Sequence, residues 1–164
     1  MSDRLVIKIE NVPLVSTNVA YRPTYKGKKV FYRRSSEMLV FQKYFSEQLS
    51  KYADDAKTFI DLQKDALSHL GFSIKIILIL PRTMYFYKRK SDDLRPHDTS
   101  NYIKAIEDQL ARLLGIDDKY NVTVMATKCF DDNLEMPSVA LIIEALDFLN
   151  RGSSAVLDFY NISQ

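Results

Sequence analysis

Apolar and polar residues interleave along several stretches of the chain, and their spacing predicts four strands. RLVIKIENV, residues 4–12, mixes apolar and charged positions and predicts a strand that Pro13 ends. FSIKIILIL, residues 72–80, is almost wholly apolar, which predicts a central strand covered on both faces. YNVTVMATKCF and SVALIIEAL, residues 120–130 and 138–146, predict an antiparallel hairpin around the turn DDNLEMP.

Three other stretches have apolar residues at helical spacing. The first helix begins near Ser35, with Ser36 as the predicted N-cap and apolar positions at Met38, Leu39, Phe41, Phe45 and Leu49. The second covers residues 55–69 and ends at Gly71, and the third covers residues 101–114, with Gly115 in a suitable C-cap position. Residues 13–36 form a long basic loop with room for a short hairpin turning at Gly27, and residues 82–98 form a second basic and aromatic loop.

The order strand, helix, helix, strand, helix, strand, strand predicts an α+β fold, with a mixed sheet of about four or five strands covered by helices. A chain of 164 residues has the length of one ordinary domain. We place this domain at residues 1–144. Residues 145–164 then form a C-terminal extension that packs on the domain or on a dimer partner.

Composition narrows the class of protein. Apolar residues make up 46% of the chain and charged residues 27%, which is typical of a globular protein. The longest apolar run, residues 76–80, is far too short to span a bilayer, and the first ten residues lack the apolar core of a signal peptide. The chain is therefore expected to be cytoplasmic and to make no membrane contact.

The metal-binding residue types point to oxygen ligands. Cys129 is the one cysteine, which excludes an internal disulfide and a cysteine-rich zinc site. His69 and His97 stand 28 positions apart, a spacing that disfavours a histidine-based zinc site. A metal in this protein would therefore have oxygen ligands, which favours Mg²⁺ or Mn²⁺.

Positive charge is concentrated in one segment. The net charge is only +2, but residues 11–34 contain six basic residues and no acidic one, so this segment carries +6 and the remainder −4. Such asymmetry predicts contact with a polyanion, and nucleic acid is favoured over a merely solvated loop. The tyrosines of the segment have an alternative role as core-facing strand residues.

The third predicted helix carries the candidate chemistry. At about 100° per residue, Asn101, Lys104, Asp108 and Arg112 share one side, and the opposite side carries Ile103, Ile106, Leu110 and Leu113. Asp98 precedes the helix, where it would serve as an N-cap or as a metal ligand. Asp117 and Asp118 follow the helix at its far end, and spacing alone does not bring them to Asp98.

Two short motifs resemble those of a known family. DTSNYIKAIEDQL, residues 98–110, followed by GIDDKYNV, residues 115–122, resembles the signature of RusA-type Holliday junction resolvases. IENVPLVSTNVAYRP, residues 9–23, is similar to the opening of that family, so the resemblance covers about residues 4–144. It implies a RusA-like, dimeric fold and a Mg²⁺-dependent endodeoxyribonuclease, with Mn²⁺ as an alternative. Such an enzyme would resolve Holliday junctions or other branched DNA in recombination and repair, as a homodimer.

The resemblance also implies roles for individual residues. Asp98 and Asp118 map to metal-binding carboxylates, Lys104 to a cation that stabilises the transition state, and Asn101 to the asparagine that follows the first acids. Ser100 departs from the pattern, because the family has a second Asp there. Either the Ser100 hydroxyl would bind the metal or a metal-bound water, or Asp108, Asp117 or His97 would supply the missing group. The implied catalytic set also includes Ser100. The two basic loops would grip phosphates through Arg22, Lys26, Lys28, Lys29, Arg33, Arg34, Lys88, Arg89, Lys90 and Arg95, and an aromatic such as Tyr21 or Phe86 would wedge at the branch point.

Simpler interpretations exist for the same residues. Asp98 or Ser100 is an ordinary helix cap, Lys104 and Asp108 form an ordinary surface pair, and Asp117 and Asp118 suit a turn. The loss of an acid at Ser100 favours a second function, a non-catalytic module that binds branched DNA. A third function is a protein that binds RNA or single strands through its aromatic and basic loops.

Overall fold

A computed structural model describes residues 4–15, 21–63, 70–87, 90–94, 100–116 and 121–147. For residues 70, 87, 90–94, 100, 101, 121, 122, 146 and 147 the description covers the backbone alone. The elements in chain order are β1 (Arg4–Ile9), β2 (Tyr21–Lys26), β3 (Lys29–Arg34), α1 (Ser36–Ser50), α2 (Ala53–Gln63), β4 (Leu70–Pro81), α3 (Arg82–Tyr85), β5 (Phe86–Tyr87), β6 (Lys90–Leu94), α4 (Ser100–Leu114), β7 (Asn121–Asp131) and β8 (Ser138–Asp147). No helix of the described ranges is long and apolar enough to cross a membrane.

The main sheet has four strands in the order β1-β8-β4-β7. β8 is antiparallel to both of its neighbours, β1 and β4, whereas β4 and β7 are parallel. The predicted α+β fold with a mixed sheet is confirmed, but the predicted β7-β8 hairpin is wrong because β4 lies between these two strands. Parallel strands need a crossover connection, and α4 lies in the stretch of chain that links β4 to β7.

One face of the sheet forms the core. Alternate residues of β4 are buried on that face, namely Phe72, Ile74, Ile76, Leu78 and Leu80, beside residues of β1 and β8 and of the helices α1, α2 and α4. The other face is more open: Lys75 is exposed and Met125, its register partner on β7, is 52% exposed. The prediction that this strand is covered on both faces is therefore wrong for the described part of the chain. Its central position is confirmed.

Local signals set the ends of the helices. Ser35, and not the predicted Ser36, caps α1: its buried hydroxyl accepts a hydrogen bond of 3.1 Å from the Met38 N–H. At the end of α4, Gly115 has φ of 65°, a conformation that glycine adopts without strain. The Gly115 N–H donates to the Arg112 carbonyl and the Ile116 N–H to the Ala111 carbonyl, which is the Schellman arrangement.

Candidate functional site

The helix α4 presents a charged pair on its exposed side. Lys104 Nζ lies 3.1 Å from Asp108 Oδ1, and the two side chains are 55% and 37% exposed. Arg112 is exposed one turn further along. The predicted helix and its polar face are thereby confirmed for these three residues, whereas Ser100 and Asn101 are described only as backbone of its first turn.

The buried side of α4 is wider than the predicted apolar stripe. Ile106 and Leu110 are buried as predicted, but Ile103 and Leu113 are only partly buried. The buried side also takes in Tyr102, Ala105, Gln109 and Leu114. Burial raises the pKa of the Tyr102 hydroxyl. The Gln109 Nε2 group is fully buried and has no hydrogen-bond partner among the described residues, so this amide is an uncompensated polar group in the described core.

Three of the four predicted carboxylate ligands lie outside the described residues. These are Asp98, Asp117 and Asp118, and His97 is also outside them. Among the described residues, no three His, Cys, Asp or Glu side chains come together to hold a metal. The four predicted metal ligands, including Asp108, are all carboxylates, and carboxylate oxygens suit a hard cation such as Mg²⁺. α4 itself has 15 residues and is about 22 Å long at about 1.5 Å per residue, so convergence of Asp98 and Asp118 from its two ends stays a prediction.

The first basic segment folds as a two-stranded hairpin. β2 and β3 pair antiparallel along six residues each, from Tyr21 opposite Arg34 to Lys26 opposite Lys29. The two-residue turn is Gly27-Lys28, with Gly27 at φ 62° in the first central position, as a type II′ turn requires. The short hairpin predicted to turn at Gly27 is therefore confirmed, and it is regular. It carries the six predicted DNA-contacting residues of this segment.

Two arginines attach the base of the hairpin to α1. Arg22 Nη2 donates to Glu37 Oε1 at 2.9 Å, and Arg34 Nη1 donates to Gln42 Oε1 at 3.1 Å. The pKa of the Glu37 carboxyl is lowered, chiefly by a hydrogen bond from its own backbone N–H, then by the Ser36 and Ser35 hydroxyls, with Arg22 adding to them. The ionised carboxylate at the start of α1 therefore orients the hairpin on the body of the protein.

The tyrosines of the hairpin do not face the core. Tyr25 is 75% exposed and Tyr32 is 72% exposed, so the alternative that these tyrosines are core-facing strand residues is wrong for both. Tyr21, at the base, is 44% exposed. In YRPTYK the tyrosines and the basic residues occupy alternate positions, whereas KVFYRR places Phe31 with the basic residues and Arg34 with Tyr32. Alternation alone, however, does not reveal whether either face of a hairpin is buried.

The second basic loop is only partly described. Lys88, Arg89 and Arg95 lie outside the described residues, and Lys90 is described as backbone at the start of β6. Phe86 packs in an aromatic cluster, 5.0 Å from Phe130 and from Tyr85 between ring centroids. The Arg82 guanidinium stacks over Phe86 at 4.9 Å. Because these contacts pack Phe86 against its neighbours, its ring is less available to DNA. Of the two aromatic residues predicted to insert at a branch point, Tyr21 is therefore favoured.

Comparison with known proteins gives the family. The family model described as "Endodeoxyribonuclease RusA" matches residues 20–143, a range that runs from the basic hairpin through α4 to the last strand. No curated protein matched the chain. The matched range contains both motifs that follow the central strand, DTSNYIKAIEDQL and GIDDKYNV. The chain therefore belongs to the RusA family of endodeoxyribonucleases.

Proposed function

We propose that this protein is a Mg²⁺-dependent, structure-selective endonuclease that cuts Holliday junctions or other branched DNA as a homodimer. The match to the RusA family over residues 20–143 carries this proposal, because that family resolves Holliday junctions. The described geometry supports it in two places. First, Lys104 lies on the exposed side of α4, the helix that follows Asp98 in the sequence. Second, the β2-β3 hairpin carries a concentration of positive charge.

Lys104 has the right chemistry for the reacting phosphate. Phosphodiester hydrolysis builds negative charge on the phosphate oxygens, and a fixed cation near them lowers the barrier. Lys104 Nζ lies 3.1 Å from Asp108 Oδ1 and its side chain is 55% exposed, so its ammonium is accessible to a phosphate on the exposed side of α4. In this proposal Lys104 contacts the phosphate and Asp108 positions Lys104.

The predicted carboxylates Asp98 and Asp118 would hold the metal, with Asp117 and Asp108 as further candidates. Bound Mg²⁺ supplies charge neutralisation at the phosphate and lowers the pKa of water. Asp108 is the described member of this set, and its carboxylate faces Lys104. Its pairing favours the positioning role over direct ligation.

Two active sites related by a two-fold axis suit a four-way junction, which has two symmetric strands to cut. A homodimer supplies such a pair of sites. The basic residues of the hairpin would bind the arms through their phosphates, so that affinity falls steeply with salt.

A second candidate function is a non-catalytic module that binds branched DNA on the same fold. Ser100 favours it, since a hydroxyl stands where the family has an acid. This module would bind junctions tightly and in a salt-sensitive way, but it would leave them intact in Mg²⁺ and in Mn²⁺.

One assay separates the two functions. A labelled synthetic four-way junction is incubated with the wild type and with Asp98→Asn, in Mg²⁺ and, separately, in Mn²⁺. Cutting by the wild type and loss of cutting in Asp98→Asn support the nuclease. Equal cutting by both proteins rejects the assigned site, and tight binding without cutting in either metal supports the module.

A further inference from the structure

The β2-β3 hairpin has two chemically different faces. Successive residues of a strand point to opposite faces, and residues opposite each other in the register share a face. The register pairs Tyr25 with Val30 and Pro23 with Tyr32, which places these four residues on one face. We call this the aromatic face; its members are Tyr21, Pro23, Tyr25, Val30, Tyr32 and, at the base, Arg34.

The opposite face is basic. The register pairs Arg22 with Arg33 and Lys26 with Lys29, so these four residues share the other side of the hairpin. We call this the basic face; its members are Arg22, Thr24, Lys26, Lys29, Phe31 and Arg33. Arg22 is bound by Glu37 at the base, whereas Lys26, Lys29 and the turn residue Lys28 bring their charges to the tip.

The aromatic face is not part of the core. Tyr25, Tyr32 and Val30 are 75%, 72% and 49% exposed, although burial would stabilise each of them. Tyr25 and Tyr32 are diagonal neighbours, because the partner of Tyr25 is Val30 and Tyr32 lies two residues further along β3. Diagonal neighbours are about 7–8 Å apart, which is about twice the rise of about 3.4 Å between stacked bases.

We infer that the aromatic face of the hairpin stacks on unpaired bases at the branch point of DNA, with Tyr25 and Tyr32 as the stacking residues. This inference rests on the branched-DNA function proposed above and assigns to the hairpin the selection of branched over linear DNA. The basic face contacts phosphates, which every duplex offers, whereas the aromatic face contacts bases, which only an open branch point offers.

Charge decides between nucleic acid and a second protein chain as the occupant. The aromatic face carries one of the six basic residues, Arg34, and the other five lie on the basic face and in the turn of the same hairpin. A protein partner on the aromatic face would therefore lie beside six like charges, with no acidic residue in residues 11–34 to offset them. A polyanion neutralises these charges and releases its counterions. The hairpin carries aromatic rings on one face and cations on the other. We therefore take DNA, and not a protein, as the partner of the aromatic face.

The test compares two double variants of the full-length protein. Tyr25→Ser/Tyr32→Ser alters the aromatic face, and Lys26→Ser/Lys29→Ser alters the basic face. Binding is measured without divalent metal, to a synthetic four-way junction and to a linear duplex of equal length, over a series of salt concentrations. A second junction carries 2-aminopurine at the branch point, so that stacking is reported by fluorescence.

We expect the tyrosine variant to bind the junction at least about tenfold more weakly, to keep its affinity for the duplex, and to lose the 2-aminopurine signal. Tyr25→Phe/Tyr32→Phe, which keeps both rings, should restore all three readouts. The lysine variant should weaken binding to both DNAs alike and reduce the salt slope by about two.

Three results would overturn the inference. One is an equal loss of junction and duplex affinity in the tyrosine variant, and another is unchanged preference for the junction. The third is dissociation of a wild-type dimer by the tyrosine substitutions in sedimentation, which would assign the aromatic face to a second copy of the chain. The proposed nuclease function fails separately, if the wild type binds the junction but does not cut it.

Discussion

Lys104 and Asp108 form an ion pair of 3.1 Å one helical turn apart on the exposed side of α4. If Lys104 stabilises charge on the reacting phosphate, Lys104→Met should lower the rate of junction cutting by about 10²-fold or more. Asp108 acts by positioning Lys104, and Asp108→Asn keeps an acceptor for the ammonium but removes the charge, so it should lower the cutting rate by much less than Lys104→Met and cost only a few tenths of a kcal/mol of stability. Single-turnover cutting of a labelled junction at saturating protein measures both effects.

Arg112 supplies the matched control, since it is exposed on the same side of the same helix. Arg112→Met removes one positive charge about two helical turns from Lys104 and should change cutting little. An equal loss of rate in Lys104→Met and Arg112→Met would assign the effect to general DNA affinity. A loss in Asp108→Asn as large as in Lys104→Met would assign Asp108 to the metal site.

Ser35 and Ser36 contribute differently to the stability of α1, because only Ser35 caps the helix. Ser35 is buried and its hydroxyl accepts the Met38 N–H, so Ser35→Ala should lower the free energy of unfolding by about 1 kcal/mol. Ser36 is exposed, and its hydroxyl contacts only the Glu37 carboxylate. Ser36→Ala should therefore stay within about 0.5 kcal/mol of wild type. Urea unfolding followed by far-UV circular dichroism compares the two, and the reverse order of stability would reject the capping assignment.

The sequence predicted the helix α1 but not which of the two adjacent serines caps it. Periodicity correctly predicted α1 and α4, because a buried face imposes its spacing on local sequence, and an almost wholly apolar run predicted the central strand β4. The choice between adjacent serines depends on a single backbone conformation, which periodicity does not specify. The sequence also could not show that β7 and β8 are not neighbours, for a different reason. Their six-residue connection is compatible with a hairpin, and only the long-range insertion of β4 between them excludes it.

Gln109 is 2% exposed, and within the described part of the chain its buried Nε2 group has no hydrogen-bond partner. Replacing a buried unsatisfied amide by an apolar side chain of similar shape removes a desolvation cost of about 1–3 kcal/mol. Gln109→Met should therefore raise the free energy of unfolding by about 1 kcal/mol, whereas Gln109→Glu should lower it because a carboxylate is harder to bury. Denaturant unfolding provides the measurement, and a clearly less stable Gln109→Met protein would mean that the amide oxygen makes the more important contribution.

The candidate site was predictable only in part, and Gln109 shows why. The helical wheel placed Lys104 and Asp108 on the exposed side correctly, since their charges cannot be buried unpaired. It also assumed that polar residues avoid the core, so it missed the burial of Gln109 and drew the buried side too narrowly. The orientation of Tyr25 and Tyr32 was missed because both faces of the hairpin are exposed, and an exposed ribbon shows the same alternation as a half-buried one.

Ser100 is the first residue of α4, and the resemblance to the RusA motif predicts an acid at this position. Ser100→Asp would add a carboxylate to the predicted ligands, so the Mg²⁺ concentration for half-maximal cutting should fall. The substitution should also be tolerated by the fold, because an acidic side chain at a helix N-terminus is favoured by about 0.3–1 kcal/mol. Ser100→Asn, of nearly the same shape but uncharged, is the control and should not shift the Mg²⁺ requirement. A wild type that binds junctions without cutting, together with cutting in Ser100→Asp, would identify this chain as the non-catalytic module. If Ser100→Asp and Ser100→Asn shift the Mg²⁺ dependence equally, the hydroxyl position lies outside the metal site, and Asp108 or Asp117 becomes the replacement for the missing acid.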